Sequence, residues 1–255
     1  MKNLRLLISI FAGIAFSCTG AHADEVRVLA AGAAKHALER IAPAFERETG
    51  HRIVASYDTV GAQRDRVLHG APGAVADVVI LSDPALDRLD QAQQLAVVPR
   101  ATIGRVVVAL AVPADAPAPD ISTSGKLRAA LLAAQSIAYA DPARGATAGS
   151  HFATVLDALG LREALQGRIT VLPVGLDVIT GVAQKRFALG VSQSSEILQH
   201  EGVKLAGGLP APYELATPYA AAMTRDTPVA RALLEYLGGR NARDAWRASG
   251  FLDPP

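Results

Sequence analysis

The sequence of 255 residues contains a single cysteine, Cys18. That scarcity excludes a disulfide scaffold: an exported chain without a cysteine pair must be held by its core alone. Neither sign of charge dominates, with 25 Lys and Arg against 24 Asp and Glu. A near-neutral chain has no basic field to attract nucleic acid or an anionic membrane, so no nucleic-acid partner is expected. Beyond the N-terminus, no apolar run is long enough to cross a bilayer. Chemical signatures are missing too. There is no Gly-x-Ser-x-Gly elbow, no Gly-Lys-Ser/Thr phosphate loop and no spaced-glycine dinucleotide fingerprint. His36, His51, His69, His151 and His200 lack metal-ligand spacing and read as surface or supporting groups. Ser150 and His151 adjoin, but neighbours on a helix point different ways, so they form no catalytic pair. No internal repeat, low-complexity tract or heptad seam is present. A metal site, a cofactor and a catalytic triad therefore have no support, and the chain is expected not to be an enzyme.

What is present begins with an export signal. Lys2 and Arg5 precede an apolar run from Leu6 to Phe16, and Ala21-His22-Ala23 makes a small-x-small cleavage site before Asp24. Residues 1–23 read as a signal peptide, which gives a periplasmic mature chain starting at Asp24. A lipidated Cys18 is the alternative, but Phe16 is bulky for a lipobox. Cleavage after Ala23 also removes Lys2, Arg5 and the only cysteine, and the remaining length is ample for one large domain or two modest lobes.

From Val26 onward, short apolar strands alternate with amphipathic helices. Val26, Val28 and Ala30 alternate as a strand, then Ala34, Leu38, Ile41 and Phe45 recur at helical spacing until Gly50. Ile53–Ser56 reads as a strand and 62–69 as a helix. Val78-Val79-Ile80-Leu81 and Val106–Val112 are continuous apolar runs, as in strands covered on both faces. Ser82 and Asp83, with Pro84, suit a helix start. Further strands are expected at 137–140, 169–172, 188–192, 203–206 and 219–223. Helices are expected at 126–134, around Phe152–Leu159, from an Asp177 N-cap, from Thr227-Pro228 to Gly238, and from Asn241. Such alternation predicts an α/β fold with mostly parallel sheets.

In open α/β sheets, ligands sit where strands end and helices begin, against free N–H groups and the positive end of the helix dipole. Three junctions are rich in small residues: Ala30 to Ala34, Asp58 to Ala62, and Arg144 to Ser150. Small side chains let a ligand approach backbone. Each alone is more simply a tight turn; three together favour a cleft. Arg64, Arg144 and Arg186 could each meet an anion, although a solvated charge is the simpler reading. Arg144, just ahead of a helix N-terminus, is the best of them.

The order of motifs resembles the periplasmic molybdate-binding protein family of ABC importers. The markers are Val28-Leu29-Ala30-Ala31-Gly32-Ala33-Ala34 with Ala37-Leu38, then Gly70-Ala71-Pro72, Ala76 to Asp83, Ala140-Asp141-Pro142, Gly190-Val191, and the run Gly238 to Phe251. The resemblance implies two α/β lobes joined by crossing strands, with an oxyanion held between them. It implies a first lobe of 24–107 and 220–255 and a second of 108–219. Together with the three junctions it points to ligand contacts at Gly32, Ala33 and Ala34, at Thr59, Val60 and Gly61, and at Arg144, Thr147, Ala148 and Ser150. Backbone donors match Ala148 and Val178, and the family's tyrosine position carries Gln193 beside Ser192, Ser194 and Ser195. The family's serines are replaced at Ala33 and near Val60, with Thr59 one residue away. The expected function is a monomeric periplasmic binding protein that delivers a small organic carboxylate or oxyanion to a membrane permease. Molybdate or tungstate as ligand, a ligand sensor, and a secreted hydrolase are the alternatives.

Overall fold

The structure, a computed structural model, describes residues 24–70 and 75–254. The expected signal peptide, its cleavage site, Cys18 and the Ala71-Pro72 marker lie outside the described residues. The chain alternates strongly between strand and helix. β1 (Glu25–Ala31) passes through one 3-10 turn into α1 (Lys35–Thr49), and β2 (Arg52–Asp58) and α2 (Val60–His69) follow. Next come β3 (Val78–Ser82), α3 (Asp83–Gln91), β4 (Ala101–Pro113) and α4 (Ser124–Ala133). β5 (Ile137–Ala140), α5 (Thr147–Ala158), β6 (Ile169–Leu172), α6 (Gly175–Ala183), β7 (Leu189–Gln193) and α7 (Ser194–Leu198) continue the pattern. β8 (Val203–Gly208), β9 (Ala216–Met223), α8 (Pro228–Gly238) and α9 (Arg240–Ala248) complete it.

The strands run in the order β2-β1-β3-β9-β4-β7-β5-β6, with β8 also on β4. The flanks are parallel: β1 with β2 and β3, and β5 with β6 and β7. The middle is antiparallel, because β9 returns between β3 and β4, and β4 pairs β7 and β8. The sheet is thus mixed. β4 belongs to both lobes. Its residues from Ala101 to Val107 pair β9, and those from Val108 to Pro113 pair β7 and β8.

The apolar core splits at the same place. Val106 packs with Phe45, Ile80, Leu86, Tyr219 and Trp246 in one cluster. Val108 packs with Leu110, Leu127, Tyr139, Phe152 and Val191 in a second. A third, formed by Ala109, Ala138, Val178, Ile179 and Ile197, covers the opposite face of the second half-sheet. Each large apolar side chain fully buried in these clusters contributes roughly 1.5–3 kcal/mol.

Several boundaries differ from the sequence reading, for identifiable reasons. β4 starts at Ala101 and β9 at Ala216, earlier than their apolar runs, because each start pairs with the later part of the other strand, Ala101 and Thr102 opposite Ala221 and Ala220, and Ala216 and Thr217 opposite Val107 and Val106. α6 starts at Gly175, with Val174 as N-cap, so Asp177 lies in the first turn rather than capping it. There its charge still complements the helix dipole. The short helix α7 was not anticipated, since Ser194-Ser195-Glu196 reads as a polar turn, yet all three residues are buried.

Candidate functional site

A cavity of about 50 Å3 lies between the two half-sheets. It is built from the ends of strands and the starts of helices. Ala31, Gly32 and Ala33 come from the end of β1, and Tyr57, Asp58, Thr59 and Val60 from β2 and α2. Across from them stand Ala140 after β5, Ala146, Thr147 and Ala148 at the start of α5, and Val174, Gly175 and Leu176 at the start of α6. Ser192, Gln193 and Glu196 from β7 and α7, and Tyr219 from β9, complete the wall.

Local sequence explains this placement. Thr59 caps α2, its Oγ1 accepting from Ala62 N at 3.1 Å. Gln63, fully buried, ties that helix to β1 and β2 by donating to Ala30 O at 3.1 Å and Ser56 O at 2.7 Å. α5 and α6 aim their first turns at the cavity. Ser150 N and Val178 N make the first intrahelical bonds, to Ala146 O at 2.8 Å and Val174 O at 3.4 Å. The N–H groups before them are the free donors of a helix start, suited to an anion.

Of the residues expected from sequence, Gly32, Ala33, Thr59, Val60, Thr147, Ala148 and Gln193 line the cavity. Gly61 and Ser150 instead line a more open hollow that shares Val60 and Thr147 with it and also holds Arg64, Arg88 and Thr217. Ala34 is buried in the core. Val178 is buried within α6, and because its N–H is already used, the free donors at that helix lie earlier, from Gly175 to Asp177. Arg144 stands at the rim rather than in the wall. Its Nη2 donates to Asp58 Oδ1 and Oδ2 at 2.8 and 3.0 Å. The guanidinium is committed to a carboxylate of the facing segment and so is not free for a ligand.

This pair belongs to a latch across the cleft. Thr59 Oγ1 donates to Arg144 O, and Gly61 N donates to Gly145 O at 3.1 Å. The backbones approach so closely that a Cβ on Gly61 would lie 2.6 Å from Gly145 Cα. Gly145 itself has φ of +68°, where glycine is favoured.

Two wall residues have unusual surroundings. Gln193 is 4% exposed, and neither its Nε2 nor its Oε1 has a partner among the described residues. Its side chain and that of Glu196 face each other's backbone as in a capping box, but the bond made is Gln193 N to Glu196 Oε2, at 3.4 Å. An unpartnered buried amide costs about 1–3 kcal/mol, which a ligand would recover. Glu196 is also buried. Its Oε2 accepts from Ser192 Oγ, and among the described residues no cation pairs with it. Burial pushes the carboxyl above its ordinary range, only partly offset by the bonds from Ser192 and Gln193. Tyr219 is pushed up as well, first by burial and then by the neighbouring Glu196. Burial and Glu39 raise the Tyr57 phenol to about 12. Both tyrosines therefore stay neutral donors. Glu196, both tyrosines and the start of α6 were missed from sequence, and Asp58 was noted only as the first residue of a junction. The available signal was the unbroken polar run Ser192 to Glu196 directly after an apolar strand.

The chain matches the profile described as bacterial extracellular solute-binding protein over residues 26–252. It is 32% identical over 240 residues to a protein of Pseudomonas sp. named aconitate isomerase, covering 89% of this chain and 87% of that one. It is 28% identical over 259 residues to the molybdate-binding protein ModA of Azotobacter vinelandii, covering 97% and 96%. Among solved structures, the periplasmic molybdate-binding protein of Azotobacter vinelandii superposes with a TM-score of 0.75 at 24% identity, covering 90% of this chain and all of the other. The anticipated two-lobed α/β binding-protein fold and the resemblance to molybdate binders are both met.

Proposed function

The chain belongs to the bacterial extracellular solute-binding protein family, and on that premise we propose that it closes two lobes around a small organic carboxylate in the periplasm. The observation that carries this reading is the unpartnered Gln193 amide, buried in the wall beside the starts of α5 and α6. A side-chain amide and helix N–H groups together match the flat, paired acceptors of a carboxylate. The rest of the wall is largely hydrocarbon, from Ala31, Ala33, Val60, Ala140, Ala146 and Leu176. A tetrahedral dianion stripped of water needs its hydrogen bonds returned, whereas a carbon-bearing anion gains from the apolar lining. We assign the lobes as 24–107 with 220–255 and 108–219, hinged where β4 and β9 cross. In this reading the mature chain starts at Asp24, works as a monomer and serves a membrane permease of an ABC importer. Calorimetry of the mature chain against cis- and trans-aconitate, citrate, succinate, molybdate, tungstate and sulfate tests it. At least one carboxylate is expected to bind at least tenfold tighter than any oxyanion. Sub-micromolar molybdate binding would overturn the assignment.

A second reading, isomerisation of the bound carboxylate, is favoured by Glu196. It is a buried carboxyl in the cavity wall without a countercharge, in a chain whose relative is named aconitate isomerase. The expectation of a non-enzyme rested on the missing nucleophile–base signature. Shifting a proton along a carbon skeleton needs no nucleophile, so that absence does not weigh against this activity.

A further inference from the structure

We propose that Glu196 is the acid–base residue of this cleft, carrying a proton between two carbons of a bound unsaturated polycarboxylate. The inference rests on the carboxylate reading above and gives it a chemistry. Glu196 is wedged between two glycines of facing segments, and a Cβ on Gly32 would lie 2.6 Å from its Oε1, with one on Gly175 closer still to Oε2. Both turns therefore make room for the carboxyl by lacking a Cβ, and Glu196 lines the cavity. The two oxygens are differentiated. Ser192 Oγ and Gln193 N both donate to Oε2. Oε1 has no protein donor among the described residues, and its lone pairs are left for a proton of the ligand. Among the described residues no cation pairs with this carboxyl, so its charge is left to be balanced by a proton.

The step balances without any co-reactant. In propene-1,2,3-tricarboxylate the CH2 carbon is acidified by its own carboxylate and by the adjacent double bond. Ionised Glu196 removes one proton: the C–H bond breaks, an O–H bond forms at Oε1, and the electron pair spreads over three carbons and into the terminal carboxylates. Glu196 then returns the proton to the other terminal carbon. Its O–H bond breaks, a new C–H bond forms, and the double bond has moved by one position. The skeleton is unchanged by the shift, so the product is again an aconitate, and its cis or trans geometry is set anew. Nothing is oxidised or reduced. Free N–H groups at the starts of α5 and α6 and the Gln193 amide are placed to receive the carboxylates onto which charge moves.

The test uses the mature protein as wild type, E196Q and E196D, with cis- and trans-aconitate as probes. Calorimetry reads binding, and proton NMR in D2O reads interconversion of the isomers. Wild type is expected to interconvert them. E196Q is expected to bind within about threefold of wild type but to lose a hundredfold or more in rate, the usual scale of a lost general base. If E196Q does not fold, E196D, which keeps the charge but retracts it by one carbon, is expected to bind and to be slowed at least tenfold. Unchanged interconversion by whichever variant folds overturns the role of Glu196 while leaving carboxylate binding intact. Wild type that binds aconitate without converting it overturns the activity alone. Failure to bind either aconitate isomer overturns this inference, and the carboxylate reading falls with it only if citrate and succinate fail as well.

Discussion

Gln193 and Glu196 lie three positions apart and present different chemistry to one cavity, a neutral amide without a partner among the described residues and a carboxyl whose pKa burial raises. Replacing Gln193 with Ala is expected to weaken carboxylate binding tenfold to about a hundredfold, the scale of one hydrogen bond to a charged group, about 1.5–3 kcal/mol. Calorimetry with the best ligand checks it. Glu196 also makes stability depend on pH. Its folded pKa is raised above its unfolded value, so its contribution is fully present below the ordinary value of 4.5 and is lost as pH rises through the folded value. Tyr219 is the titratable neighbour that feels this charge and stays neutral throughout. Wild type should therefore lose stability against E196Q with a slope of up to about 1.4 kcal/mol per pH unit in that window, read from denaturant midpoints between pH 4 and 8. Thr59, Val60 and Thr147 were legible in sequence because small residues flank them at strand ends, and Gln193 because the family resemblance marks its position. Glu196 was not, because its role depends on α7 folding back beneath Gly32, a tertiary contact with no local pattern.

At the scale of elements, the alternation of strands and helices could be read directly, because each apolar run has the period of its element. Where the reading fell short, as at the polar starts of β4 and β9, pairing between strands far apart in sequence replaced hydrophobicity as the cause. α5 illustrates how an element positions the site. Its Gly149 packs so tightly on β5 that any Cβ would collide with the Ala140 carbonyl. That contact fixes the first turn, with Thr147 and Ala148, in the cavity wall. Gly149→Ala is expected to cost about 1–3 kcal/mol by overpacking and to lower ligand affinity as well, because the helix must lift. Thermal melts with and without ligand separate the two effects.

For the whole molecule, the two half-sheets meet at the contact between the Thr59–Gly61 and Arg144–Gly145 segments. The Arg144–Asp58 pair is partly solvated, with side-chain exposures of 41% and 11%, so it stabilises closure by no more than about 1 kcal/mol. Arg144→Ala is expected to raise the ligand off-rate up to about fivefold and to enlarge the radius of gyration of the free protein in small-angle scattering, without abolishing binding. A loss of binding beyond a hundredfold would mean that Arg144 touches the ligand after all.

The return of β9 between β3 and β4 also sets the order in which the molecule can be completed. The chain between Val108 and Leu215 is continuous and holds β5, β6, β7 and β8, so it can satisfy its own pairings as soon as it has left a translocase. The half-sheet begun by β1 and β3 has to wait for a strand encoded more than a hundred residues later. Until Ala216 to Met223 arrives, the cavity also lacks Tyr219. A chain exported N-terminus first therefore carries an unfinished cleft until β9 emerges. Pulsed hydrogen exchange during refolding should show amides of β5 and β7 protected before those of β1 and β3.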